Sequence, residues 1–356
     1  MRMQRLAVVA GILLVPAAVW GQYAAERDGN VVKLTDKQHQ TVVSILPGTG
    51  DEIFSIKVKG QDIVDFAAPS VAAFEAHPGI TGIPFLAPWA NRLDEQGFYA
   101  NGKNYTFNMT LGNVRGKIPM HGFLSGAPWQ VVELKADRHS AWMITRLEVY
   151  RHPDWMAQWP FAHTIEITQR LRDGVLEVHT KLLNLSTDSM PVAIGFHPYL
   201  RLTDSPRNNW TVQVGAQSHY LLNHDKIPTG ETEPITKIFP DPSAVVLKDY
   251  RLDDDFGDLT RDDKGRAHFS VSDGHQRVTV EFGPKYQSAV IYSPGPWPGT
   301  PRPGFPVFDS NFICFEPMAS VTDAMNLEHE GKFHGVQSIP AGGSWEESFW
   351  IEPSGF

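Results

Sequence analysis

From about residue 30 onward, short runs alternate apolar and polar residues and are broken by turn residues. That is the pattern of strands with one buried face. The clearest run is Phe161–Arg172, then Asp173-Gly174, then Val175–Ser186. Ile165, Ile167 and Leu171 alternate on one arm, and Leu176, Val178 and Leu182 on the other. Asp-Gly between alternating arms predicts a hairpin, because both central residues of a type I′ turn need positive φ. Asn101-Gly102 predicts a second hairpin, between Gly97–Ala100 and Lys103–Phe107. Asp273-Gly274 predicts a third, between His268–Ser272 and Arg277–Phe282. Val31–Leu34, Thr41–Leu46 and Ile53–Val58 also read as strands. No segment keeps helical spacing over a dozen residues, and no short repeat recurs. The expectation is an all-β protein: a large antiparallel β-sandwich with few short helices.

Two stretches break this pattern. Pro294–Pro306 holds six prolines and three glycines, which excludes it from a sheet centre and predicts a loop that lines a site or crosses the surface. At the other end, Arg2 and Arg5 precede the apolar run Leu6–Val15, followed by Pro16 and the small-residue pair Val19 and Gly21. This reads as a secretory signal over residues 1–21, cleaved before Gln22, too short for a comfortable membrane span. The expected organisation is the signal, a short extension over 22–30, and a single catalytic domain over 31–356. The expected location is periplasmic or extracellular.

Hydrophobic residues make up 42% and charged residues 20%, ordinary for a globular chain and unlike a disordered one. The net charge of −9 argues against nucleic acid and anionic lipid as partners, and against phosphorylated ligands unless a local basic pocket overrides it. The lone cysteine, Cys314, allows no internal disulfide and sits in an apolar run as a buried thiol. No sequence feature assigns an oligomeric state.

Four segments look unlike plain sheet: Gly82 to Leu93, His121-Gly122-Phe123, Gly195 to Leu200 around His197, and Phe312 to Pro317. In the last, Glu316 ends an apolar run just before a proline expected to stop the strand. Partial desolvation there raises a carboxyl toward the range of a useful base. Taken singly, a histidine is more often a structural residue than a catalyst, Arg92 reads also as a structural ion-pair partner and Glu316 also as a strand-end surface acid.

Together and in this order they resemble the aldose 1-epimerase family of galactose mutarotase type. The matching segments are Pro88-Trp89-Ala90-Asn91-Arg92, His121-Gly122-Phe123, Gly195-Phe196-His197-Pro198-Tyr199 and Asp253-Asp254-Asp255-Phe256. Glu316-Pro317 with Asp323-Ala324-Met325-Asn326 completes the set. The resemblance implies Glu316 as general base and His197 as general acid. It implies that Arg92, His121, Asp253 and Asn91 bind the sugar, with Asp254, Asp255 and Asp258 crowding the same loop as Asp253. His121-Gly122-Phe123 is followed by Leu124-Ser125 where hexose-6-phosphate mutarotases resemble an arginine-bearing pattern, which favours an unphosphorylated sugar.

The chemistry suits these residue types. A base takes the C1 hydroxyl proton of a monosaccharide while an acid protonates the ring oxygen; the ring opens, C1–C2 rotates and the ring recloses. No cofactor or metal is required. Arg92 and Asp253 suit hydroxyl recognition, and Trp89 or Phe123 could stack on the sugar, although core packing suits either as well. The competing readings are a glycoside hydrolase or lyase using Glu316 with Asp253, and a non-catalytic carbohydrate-binding or sensor protein. A metal site of His77, His121 and His197 lacks tight ligand spacing.

Overall fold

The computed structural model describes residues 21–111, 113–295 and 311–356. The signal read over 1–21, Gly21 apart, lies outside the described residues, as does the proline-rich loop beyond Gly295.

Strands dominate, and the α-helices are the six-residue turns Val71–Ala76, Pro153–Gln158 and Ala324–His329. A nine-stranded antiparallel sheet runs, in spatial order, Gln130–Ala136, Ala141–Glu148, His163–Arg172, Val175–Asn184, Ser344–Ser354, Arg277–Phe282, Ala267–Ser272, Thr211–Gln213 and Val245–Val246. An eight-stranded sheet faces it. Its central strands are Leu252–Leu259, Ser288–Ser293 and Ile313–Met318, continued by the two-residue strands Gly195–Phe196 and Phe85–Leu86. Phe196 meets Phe349 at 4.7 Å and Phe269 meets Phe315 at 6.0 Å between ring centroids, so aromatic rings fill the space between the sheets. This is the expected sandwich.

The turn chemistry explains the hairpins. Asp173 and Gly174 have φ of 51° and 76°, and Asn101 and Gly102 have 51° and 72°, as a type I′ turn requires. The third hairpin closes through a four-residue loop instead. There the Asp273 carboxylate accepts the backbone N–H of His275 and of Gln276 at 3.0 and 2.8 Å. The stretch read as an N-terminal extension also folds. Tyr23–Asp28 pairs along its length with Val31–Asp36, from Tyr23↔Asp36 to Asp28↔Val31, as the edge of a five-stranded sheet. Cys314 is a buried free thiol.

The five-stranded sheet is pinned to the nine-stranded one by a buried acid. Asp51 Oδ2 accepts from Thr145 Oγ1 at 2.7 Å and Gln169 Nε2 at 2.5 Å, while Oδ1 has no partner. Burial pushes its pKa up to about 7. Because the folded pKa lies above the unfolded value, the stabilising protonated form is complete below the unfolded pKa and is lost as pH rises through the folded one. Asp51→Asn should therefore stabilise the protein by about 3 kcal/mol more at pH 8 than at pH 5. Chemical denaturation at the two pH values measures this, and an equal effect at both would remove ionisation as the cause.

Candidate active site

Directly paired residues of an antiparallel ladder share a face, as do residues two apart on one strand. The pairs Tyr199↔Cys314, Cys314↔Tyr292 and Tyr292↔Asp253 therefore lay one row across four strands. The next row on that face is Glu316, Val290 and Asp255. Phe315 and Phe256, on the alternate positions, belong to the buried core. Glu316 and Asp253 thus point away from the core, onto the face covered by the 80–93 and 113–123 segments.

Pro317 does not stop the strand, contrary to expectation. Ile313–Met318 continues through it, with Ala289↔Pro317 still in register. On the other side its neighbour is the two-residue strand Gly195–Phe196, with Gly195↔Met318 as the registered pair, so a missing N–H disrupts little of the ladder. Glu316 is consequently a mid-strand residue, buried rather than partly desolvated.

Two irregular segments bring in the other groups. Asn91 and His121 both have positive φ, 55° and 59°, and clasp each other: His121 N–H donates to Asn91 O at 2.8 Å and Asn91 N–H donates to His121 Nδ1 at 3.2 Å. The neutral imidazole must then carry its proton on Nε2. Asn91 Oδ1 accepts from Arg92 Nη1 at 2.9 Å, which aims the guanidinium. Arg92 in turn forms a bidentate pair with Asp253, Nη2–Oδ2 2.9 Å and Nη1–Oδ1 3.3 Å. His197 follows the strand Gly195–Phe196; its N–H donates to Pro84 O at 3.1 Å and its ring stacks on Tyr199 at 4.5 Å.

At the centre, His197 Nε2 lies 3.1 Å from Glu316 Oε1. Burial pushes the Glu316 pKa well up, reinforced by the Asp253 and Asp255 carboxylates. Burial pushes His197 down to about 3. Both shifts favour the neutral forms, a carboxyl beside an imidazole, which share one titratable proton between them. His121 is also held well below the ordinary imidazole range, by burial and then by His197 and Arg92. Glu316 Oε2 and His197 Nδ1 are buried without a partner, an arrangement that costs stability unless a ligand or water meets them.

The structure therefore gathers Glu316, His197, Arg92, His121, Asp253 and Asn91 around one pocket, with Ile80, Arg115, Met120, Tyr199 and Tyr292 completing its wall. Asp253 lies on a strand, Leu252–Leu259, and not in a loop as expected. The neighbouring acids separate by face and contact. Asp254 Oδ1 meets His219 at 3.4 Å and Lys226 at 3.7 Å, whereas buried Asp255 accepts from Thr322 Oγ1 at 2.8 Å. Trp89 is a core residue, stacked on Phe107 at 4.3 Å, and neither it nor Phe123 lines the pocket. His77 caps the helix Val71–Ala76 at the surface, away from the other two histidines, and no cluster of metal-ligating residues occurs among the described residues. The Asp323-Ala324-Met325-Asn326 segment acts from behind. Asp323 Oδ1 accepts from Asp94 N–H at 3.0 Å, and Asn326 Nδ2 donates to Gly97 O at 3.1 Å, which ties down the loop after Arg92.

Sequence reasoning missed Tyr292 and Arg115. Tyr292 is legible only once its strand is known to lie between those of Asp253 and Glu316. Arg115 carries no signal beyond the Gly116-Lys117 turn that follows it.

The acid, imidazole and guanidinium meet at one pocket on one face of the sandwich, and comparison with known proteins identifies the family. Residues 31–349 match the aldose 1-epimerase family, and the chain belongs to that family. Among solved structures, the fold is similar to a galactose mutarotase-like protein from Clostridium acetobutylicum, at TM-score 0.79 and 19% identity over 94% of this chain and 98% of that one. It is also similar to an aldose epimerase homologue from C. elegans, at TM-score 0.72 and 19% identity over 93% and 99%. A galactose 1-epimerase from Lactobacillus acidophilus aligns at TM-score 0.72 and 13% identity over 93% and 98%. The uncharacterized Escherichia coli protein YihR is 24% identical over 145 residues, 40% of this chain and 44% of that protein, so the chain spans under half the length of this curated relative. The family match over residues 31–349 and the shared fold are what these comparisons establish.

Proposed function

We propose that the protein interconverts the α and β anomers of a free, unphosphorylated aldose, with Glu316 and His197 as the acid/base pair. The observation that carries this is their 3.1 Å separation at the floor of a pocket. A cyclic aldose presents its C1 hydroxyl and ring oxygen on the same carbon, so two adjacent groups can meet both. In the working form Glu316 is ionised and His197 protonated, which needs the same single proton as the neutral pair, moved across that gap. Glu316 takes the proton from O1, C1–O1 becomes a carbonyl, the C1–O5 bond breaks, and His197 gives its proton to O5. The pair is then neutral, the form that burial favours. After rotation about C1–C2, His197 takes the proton back from O5 as it attacks the other face, and Glu316 returns one to O1.

Arg92, Asn91, His121 and Asp253 would orient the ring. The pairing of Asp253 with Arg92 also speaks against a hydrolase that needs Asp253 as a free second carboxylate. Polarimetry on fresh α-glucose, α-galactose and pentoses tests the reading, with faster approach to equilibrium expected. Binding without acceleration would indicate a sugar sensor instead.

The shared proton sets the pH dependence. A second proton adds only as pH falls through the depressed His197 pKa of about 3, and the single proton leaves only as pH rises through the raised Glu316 pKa. kcat/KM should therefore not fall as pH is lowered from 7 to 5. A loss on acidification centred near the ordinary imidazole pKa of about 6.5 would contradict the coupling of the pair. We also propose that the protein acts outside the cytoplasm, on the strength of Arg2, Arg5 and the apolar run Leu6–Val15. Recovery of the protein from the cytoplasm of its source, with residues 1–21 retained, would refute this.

A further inference from the structure

The pocket wall includes a cation that anomer exchange does not use. Asn113–Arg115 and Ile118–Met120 form a hairpin, with Arg115↔Ile118 closing on the Gly116-Lys117 turn and Gly116 at φ 66°. Met120 bridges to Arg92 and lines the pocket, so the hairpin is seated on the site. Arg115 lines the same pocket from an exposed position. It forms no ion pair among the described residues, and neither does Lys117 beside it.

The electrostatic balance of the site makes this cation conspicuous. The chain carries a net −9, so a free cation at a pocket is not a consequence of composition. The Arg92 charge is matched by Asp253 in the bidentate pair. Glu316 is pushed toward its neutral form, and both pocket histidines are held neutral. Burial pushes the Tyr292 hydroxyl up to about 12, and Arg115 is the cation that pulls against it, which puts the guanidinium within electrostatic reach of the strand position beside Asp253. What remains unbalanced among the lining residues is the one positive charge of Arg115, Lys117 lying outside that lining.

We propose that the pocket takes an aldose carrying an anionic oxygen substituent, a sugar acid in the first instance, with Arg115 as the counter-ion. The inference rests on the epimerase reading and adds the substrate class to it. A guanidinium fork matches the two oxygens of a carboxylate, which brings one charge to one unmatched cation. A phosphomonoester brings close to two charges, into a site that already holds Asp253.

The test compares mutarotation of glucuronate and galacturonate with glucose, galactose and glucose 6-phosphate, in wild type and Arg115→Gln. Wild type should favour each uronate over its parent hexose by about tenfold or more in kcat/KM, mainly through KM, and the preference should shrink with added salt. Arg115→Gln should collapse the uronate-to-hexose ratio toward one. A wild-type ratio near one, or a ratio unmoved by Arg115→Gln, overturns the assignment while leaving the epimerase intact. Preference for glucose 6-phosphate over the uronates overturns the carboxylate as the group recognised. Acceleration of no aldose of either kind takes down the epimerase reading and this one with it.

Discussion

Glu316→Gln should slow catalysed mutarotation by about 10²–10⁴-fold, with KM little changed. Glutamine keeps the volume of the side chain and can still hydrogen-bond to His197 across 3.1 Å, so the pocket holds its shape. It cannot take a proton from a C1 hydroxyl. It also removes the acid that burial, Asp253 and Asp255 all push toward neutrality, so the variant should be at least as stable as wild type. That separates a chemical defect from a folding one. His197→Asn should lose activity on the same scale, and the double variant should be little worse than either single one, because groups that pass one proton between them act as a unit. A Glu316→Gln enzyme that keeps more than a tenth of wild-type kcat would remove the carboxyl from the chemistry.

Glu316, His197, Arg92, His121, Asp253 and Asn91 stand out in the sequence, whereas the register that brings them to one pocket does not. Asp173-Gly174 and Asn101-Gly102 announce their hairpins because the turn needs two positive-φ residues in a row, and asparagine, aspartate and glycine adopt them most readily. Asp253-Asp254-Asp255 reads as a loop because aspartate is a poor strand former. It forms a strand because each carboxylate finds its own partner: Arg92 for Asp253, His219 and Lys226 for Asp254, Thr322 for Asp255. Pro317 reads as a strand end for an equally local reason, and only the shortness of the neighbouring Gly195–Phe196 strand makes it harmless. Tyr292 and Arg115 belong to segments with unremarkable local patterns. Tyr292 reaches the pocket through pairings with strands distant in sequence, and Arg115 through the seating of its local hairpin by the Met120–Arg92 bridge, neither of which a local signal carries.

Gly122→Ala should disable the protein through packing, with no chemical group removed. A Cβ at position 122 would lie 1.9 Å from Ala87 O and 2.3 Å from Ala87 C, and the residue sits at φ 62°. The close approach exists because Phe123 N–H donates to Ala87 O at 3.0 Å, which locks the His121 segment onto the 87–92 segment. Left-handed backbone at a residue with a side chain costs about 1–2 kcal/mol and a backbone overlap about 1–3 more, a large share of a typical folding free energy. The segment can relieve the overlap only by moving away from Ala87. That strains the Asn91–His121 clasp and, through Asn91 Oδ1, the aim of Arg92. Misplacement by about 1 Å is enough to cost about 10²-fold in rate. Gly102→Ala is the matched control, since Gly102 has a similar φ of 72° with nothing within 4 Å of the added Cβ. It should lose about 1–2 kcal/mol and keep its activity. Thermal unfolding together with polarimetry on both variants separates the two costs. Equal losses would mean that the contact with Ala87 is not what requires a glycine between His121 and Phe123.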